Sequence, residues 1–122
     1  MDINELTEYM LAKNGTTSAY PFDDTTLVFK VINKLYALVS EDETPSRINL
    51  KCDPEEAQIL RGMHQSIIPG YHMNKEHWNT VILDGSLPDE IVYKMIDDSY
   101  DLVVSGFKKV DREKLLYLNR IL

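Results

Sequence analysis

Residues 27–40, Leu27-Val28-Phe29-Lys30-Val31-Ile32-Asn33-Lys34-Leu35-Tyr36-Ala37-Leu38-Val39-Ser40, decide the fold class. The stretch is dense in β-branched and aromatic side chains, which suit a pleated, half-buried strand. Successive strand residues point to opposite faces, so Leu27, Phe29 and Val31 share one face and Val28, Lys30 and Ile32 the other. Asn33-Lys34 reads as a tight turn that sends residues 35–40 back antiparallel to residues 27–32. An antiparallel sheet is therefore the organising element.

Upstream, Asp2 and Glu5 have capping-box spacing, and Ile3, Leu6 and Met10 recur at helical intervals until Lys13-Asn14-Gly15 supplies a basic last turn and a stop. A polar stretch follows, and Tyr20-Pro21-Phe22 reads as extended. Downstream, Glu41-Asp42-Glu43-Thr44-Pro45 is a charged loop before a strand over residues 47–52. In that strand Arg47, Asn49 and Lys51 alternate with Ile48, Leu50 and Cys52, giving one polar, partly basic face. Asp53-Pro54-Glu55-Glu56 opens a second helix to about His64, expected to bury Ala57, Leu60 and Met63. Pro69-Gly70 breaks the chain before Tyr71-His72-Met73-Asn74, and residues 79–83 form a strand closed by the Asp84-Gly85 turn, together a second hairpin. Leu87-Pro88-Asp89-Glu90 starts the longest helix, whose stripe is Ile91, Met95, Ile96, Leu102 and Val103 before Gly106 ends it. Asp111 caps a last helix carrying Leu115, Leu116, Leu118 and Ile121. This order predicts one α+β domain over residues 1–122, with helices packed on one face of an antiparallel sheet.

The composition is that of an ordinary globular domain, 43% hydrophobic and 27% charged over 122 residues. The start, Met1-Asp2-Ile3-Asn4-Glu5, lacks a basic leader, and no apolar run is long enough to span a bilayer, so a cytoplasmic protein without a membrane role is expected. Cys52, alone, reads as a small core hydrophobe. The net charge of −7 is concentrated in the first 26 residues, which hold five carboxylates against one lysine. A polyanion is repelled by such a field, so any phosphate-binding surface must be a local patch.

The candidate site combines Arg47, Asn49 and Lys51 of the strand with Tyr71, His72, Asn74, Lys75, His77, Trp78 and Asn79 of the second hairpin. Basic groups pair with phosphate, Asn reaches base edges, and Trp or Tyr stacks on bases, so the mixture suits nucleic acid. It also suits other anions. The competing reading makes Trp78 and Tyr71 sheet-packing aromatics and assigns the His and Asn side chains to backbone groups of a tight turn. His64, His72 and His77 lack the spacing of a zinc site, no phosphate-cradling glycine motif occurs, and no local motif joins a nucleophile to a base. The Asp97, Asp98 and Asp101 strip reads as a solvated helix face.

Three stretches carry a family resemblance: residues 47–54 (RINLKCDP), residues 69–81 (PGYHMNKEHWNTV), and Leu87-Pro88-Asp89-Glu90 with residues 99–104 (SYDLVV). They resemble the bacterial MmcQ/YjbR family. That resemblance implies a CyaY-like fold, a double-wing mode of DNA contact through β-hairpins, and no established enzymatic reaction or cofactor. It also sets a comparison with frataxin, which shares the CyaY-like fold and has an acidic iron-binding ridge on its first helix, where this chain has Asp2, Glu5 and Glu8. The expectation is a non-enzymatic DNA-binding protein, the alternative being a small anionic-ligand or protein-interaction module using the same polar face. A contiguous basic stripe would favour DNA, and a single concave pocket a ligand.

Overall fold

In the computed structural model, which describes residues 2–121, the founding hairpin is formed by β2 (Thr26–Val31) and β3 (Lys34–Ser40). Its turn is Ile32-Asn33, one residue earlier than expected, because Val31 pairs with Lys34. Ile32 accordingly has φ 58°, a left-handed backbone that a β-branched residue adopts only at a cost on the order of 1–3 kcal/mol. Leu27, Phe29 and Val31 face the main core as expected, and Val28 faces the other way.

Around the hairpin lie α1 (Ile3–Leu11), β1 (Thr16–Ala19), β4 (Arg47–Lys51), α2 (Pro54–Met63), β5 (Ile67–Pro69), β6 (Trp78–Ile82), α3 (Asp89–Ser105) and α4 (Lys109–Ile121). The six strands form one sheet in the order β1-β2-β3-β4-β6-β5, with every neighbouring pair antiparallel. The α+β class is as expected. Two edge strands are additions. β1 lies in the polar Thr16-Thr17-Ser18-Ala19 run, which has no apolar alternation to betray a strand, while Tyr20-Pro21-Phe22 just after it is irregular rather than extended. β5 ends at Pro69, so residues 70–77 are the loop of the second hairpin and residues 71–74 are not its first strand. Pro69 is tolerated there because an edge strand has a free N–H side.

The core fills one face of the sheet. Leu6 and Met10 of α1 and Val92, Met95, Ile96 and Val103 of α3 pack there against Phe29, Tyr36, Ile48, Leu50 and Val81. The α3 stripe is rotated slightly from the expected one: Val92 and Ser99 are buried, whereas Ile91 and Leu102 are half-buried. Ala57 is buried but Met63, expected inside, is 68% exposed, since the second helix meets the sheet through its first two turns. The last helix starts at Lys109, ahead of Asp111, and Leu116 faces outward.

A bulge shapes the middle of the sheet. Phe29 pairs with Ala37 but Lys30 with Leu35, so Tyr36 is the extra residue and both Tyr36 and Ala37 turn into the core. The Ser99 hydroxyl closes the gap, donating to the Tyr36 carbonyl at 2.6 Å and accepting from the Lys51 N–H at 2.9 Å. Two backbone groups that the bulge would leave unpaired are thereby satisfied.

Candidate functional site

The second face of the sheet has a different character. Val28, Leu38 and Trp78 form a small buried cluster there, with Leu35 and Met73 against it. Strand registers place the open-face side chains in rows. Thr26, Ser40 and Arg47 make one row; Val28, Leu38, Asn49 and Thr80 make the next; Lys51 and Trp78 lie in the third. Two loops rise over this surface, the 20–25 connection carrying Phe22 and the 70–77 loop carrying Tyr71, His72 and Met73. Between them lies a concave cavity of about 530 Å³.

Asn49 and Thr80 form its floor with Leu38. The Tyr71 N–H donates to Thr80 Oγ1 at 2.9 Å, and the Thr80 hydroxyl donates onward to Asn49 Oδ1. This chain orients the Asn49 amide, committing its oxygen to Thr80. It also ties the 70–77 loop to the sheet. The Tyr71 and His72 rings meet in a tilted contact with centroids 4.0 Å apart, and His72 takes a left-handed φ of 59° as the loop turns over the cleft. Thr26, Ser40 and Arg47 form a polar end, where Asp42 and Glu43 of the β3–β4 loop also line the wall.

Support for the loop comes from behind the sheet. Arg61 of α2 donates through Nε to Asn79 Oδ1 at 2.6 Å, and through Nη2 to the carbonyls of Lys75 and Trp78. Asn79 in turn donates to the Ala57 carbonyl at 3.5 Å. Gly70 donates to the Trp78 carbonyl at 2.9 Å in a contact too close for any side chain, because a Cβ would sit 2.8 Å from Trp78 Cβ.

Of the expected site residues, Arg47, Asn49, Tyr71 and His72 meet in the cleft. Lys51 lies on the same strand face beyond Asn49, half-buried beside Trp78. The Lys75 ammonium donates to the Gly70 carbonyl at 3.3 Å, inside its own loop. Asn74 caps that loop by accepting from the Glu76 N–H, and the His77 carbonyl accepts from the Cys52 N–H. Asn79 requires correction: it pairs with Leu50 on the helix side and is fully buried, so its amide meets Arg61 and Ala57 and reaches no ligand. Trp78 is corrected likewise, since it is buried in the Val28 and Leu38 cluster and presents no free stacking face. Arg61, Thr80, Ser40 and Phe22 join the site without having been expected there. Thr80 carried a signal, since it lies two residues after Trp78 and so shares that residue's strand face, whereas Arg61 on an ordinary helix carried none.

Burial pushes the Cys52 thiol up to about 11, which leaves it protonated and inert. Among the described residues no group of three His, Cys, Asp or Glu side chains has the arrangement to hold a metal ion, the Asp2, Glu5 and Glu8 ridge included. Among the described residues no helix is long and apolar enough to cross a membrane.

The YjbR family profile matches residues 11–102, a span that contains the sheet and both walls of the cleft. This chain belongs to the YjbR family. Its similarity to Escherichia coli K12 YjbR is 40% identity over 118 residues, covering 97% of this chain and all of that one. YbdF of Escherichia coli O157:H7 is 38% identical over 79% of each chain. Among solved structures, Deinococcus radiodurans protein DR2400 aligns with a TM-score of 0.87 and 43% identity, over 93% of this chain and 86% of that one. A Pseudomonas syringae protein aligns with a TM-score of 0.72 and 32% identity, over 84% and 98% of the two chains. YjbR-family membership thus extends to the whole sheet with its helices.

Proposed function

We propose that this YjbR-family chain is a non-enzymatic binding protein that takes a small ligand in the sheet-face cleft. Arg47 pairs with an acidic group of the ligand, the Asn49 amide hydrogen-bonds from the floor, and Tyr71 and His72 cover the ligand's body. The carrying observation is the cleft itself, a mostly apolar concavity of about 530 Å³ with a few convergent polar groups, the usual form of a small-molecule site. The sole thiol is buried and inert, which accords with binding rather than covalent chemistry.

The second reading is duplex DNA, gripped in the double-wing manner that the resemblance implies. In its favour, Arg47 and Lys51 share a strand face at a separation of about 13 Å, four residues at roughly 3.3 Å each. Against it stand the net charge of −7 and the carboxylates of Asp42 and Glu43, which line the same cleft as Arg47. A phosphate backbone approaching that end meets more negative charge than positive.

One experiment separates the two. Fluorescence anisotropy of labelled duplex DNA over a salt series is compared with the intrinsic emission of Trp78, the chain's one tryptophan, during titration with small aromatic carboxylates. Saturable Trp78 changes with the acids and no anisotropy change at low salt support the cleft reading. DNA binding that weakens with salt and is lost in Lys51→Glu, with no response to any acid, replaces it by the DNA reading.

A further inference from the structure

We infer that the cleft's ligand is a zwitterion with a large apolar side chain, a compound of the free α-amino-acid type. The inference rests on the cleft reading above and deepens it by asking what charge the ligand must carry. At the polar end Arg47 supplies one guanidinium, while Asp42 and Glu43 supply two carboxylates. None of the ion pairs found among the described residues involves these three side chains, so their charges are directed to solvent and to whatever enters the cleft. A phosphate dianion there would gain one cation and confront two anions. A simple monocarboxylate would satisfy Arg47 but leave the carboxylates unanswered. A carboxylate and an ammonium on one carbon answer both signs at once, with the Ser40 hydroxyl beside them.

The remainder of the cleft is apolar and sets the side chain. Leu38 and Leu35 form the sheet surface, Met73 adds an adaptable thioether, and Phe22 and Tyr71 stand at the rim 72% and 59% exposed. Exposed aromatic rims facing a leucine floor are surfaces on which a ring or branched alkyl chain is buried on binding.

The test is a three-compound titration followed by Trp78 emission: L-phenylalanine, N-acetyl-L-phenylalanine, which keeps only the carboxylate, and L-phenylalanine amide, which keeps only the ammonium. Saturable binding of phenylalanine with each capped compound at least about tenfold weaker is expected, the loss that follows when one charged hydrogen bond is removed. In the Asp42→Asn/Glu43→Gln double variant the advantage over the N-acetyl compound disappears while carboxylate binding survives. Equal affinity for phenylalanine and its N-acetyl derivative overturns the zwitterion inference but leaves the anionic-ligand reading standing. No response to any of the three overturns both. The compound series needs no variant, and the double variant changes two exposed loop residues, so its folding is checked by an unchanged melting temperature.

Discussion

Arg61 Nε donates to Asn79 Oδ1 at 2.6 Å on the helix side of the sheet, behind the cleft whose wall the pair supports. The same guanidinium holds the carbonyls of Lys75 and Trp78, so one side chain fixes both the end of the 70–77 loop and the start of β6. Arg61→Ala should therefore destabilise the fold by about 1–3 kcal/mol, the cost of leaving buried Asn79 unsatisfied, and weaken any cleft ligand as well. Arg61→Lys should recover little, because an ammonium cannot reproduce the planar fork. Urea unfolding followed by Trp78 emission checks the first effect and ligand titration the second.

Gly70 and Gly62 should respond to alanine with opposite signs. At Gly70 the new methyl would lie 2.8 Å from Trp78 Cβ and 2.9 Å from its carbonyl oxygen, an overpacking that costs about 1–3 kcal/mol. At Gly62, an exposed position of α2 with nothing within 4 Å, helix propensity favours alanine by roughly 0.5–1 kcal/mol. Thermal melts of the two variants should move in opposite directions, and only Gly70→Ala should alter Trp78 emission.

Phe29→Ala and Ile96→Ala should each cost about 2–5 kcal/mol, since both side chains are fully buried between sheet and helices. Leu116→Ala should fall within about 0.5 kcal/mol of wild type, because Leu116 is largely exposed on α4. Chemical denaturation of the three variants is a direct check of the strand phase and of the outward face of α4.

Asp97 links α3 to α1 and predicts an acid-sensitive element of stability. Partial burial raises its pKa, but hydrogen bonds from Lys13 and Tyr9, at 2.6 Å each, outweigh that and hold the carboxyl below its ordinary value. A depressed folded-state pKa means that the stabilisation is complete above the unfolded pKa of about 3.9 and is lost as pH falls through the lower folded value. Asp97→Asn should consequently lower the melting temperature at neutral pH and flatten its decline below about pH 4. Equal acid slopes in wild type and variant would refute the linkage. The same contact, as a hydrogen bond to the carboxylate, pushes Tyr9 up to about 12.

Much of this protein was legible in its residues because the signals were local. Alternation in the Leu27 to Val31 run gave the correct core face, Asp2 and Asp53 proved to be helix N-caps, and Gly106 ends the longest helix. The Arg47, Asn49, Lys51 face was also read correctly as the face turned from the core. Failures came where the signal was weak or absent: β1 has no apolar alternation, β5 is only three residues long, and Ile32 occupies a turn position that intrinsic preference argues against. What the residues alone determined, then, was an antiparallel sheet with helices on one face, because periodic burial and capping are properties of neighbouring positions. What only the tertiary structure decided was which polar side chains meet. Asn49 and Asn79 sit on adjacent strands, yet the register pairs Asn79 with Leu50 and turns it to the helices, while Asn49 faces the cleft. A strand's alternation fixes opposite faces within itself, but the register against its neighbour, set by long-range packing, chooses which face is which.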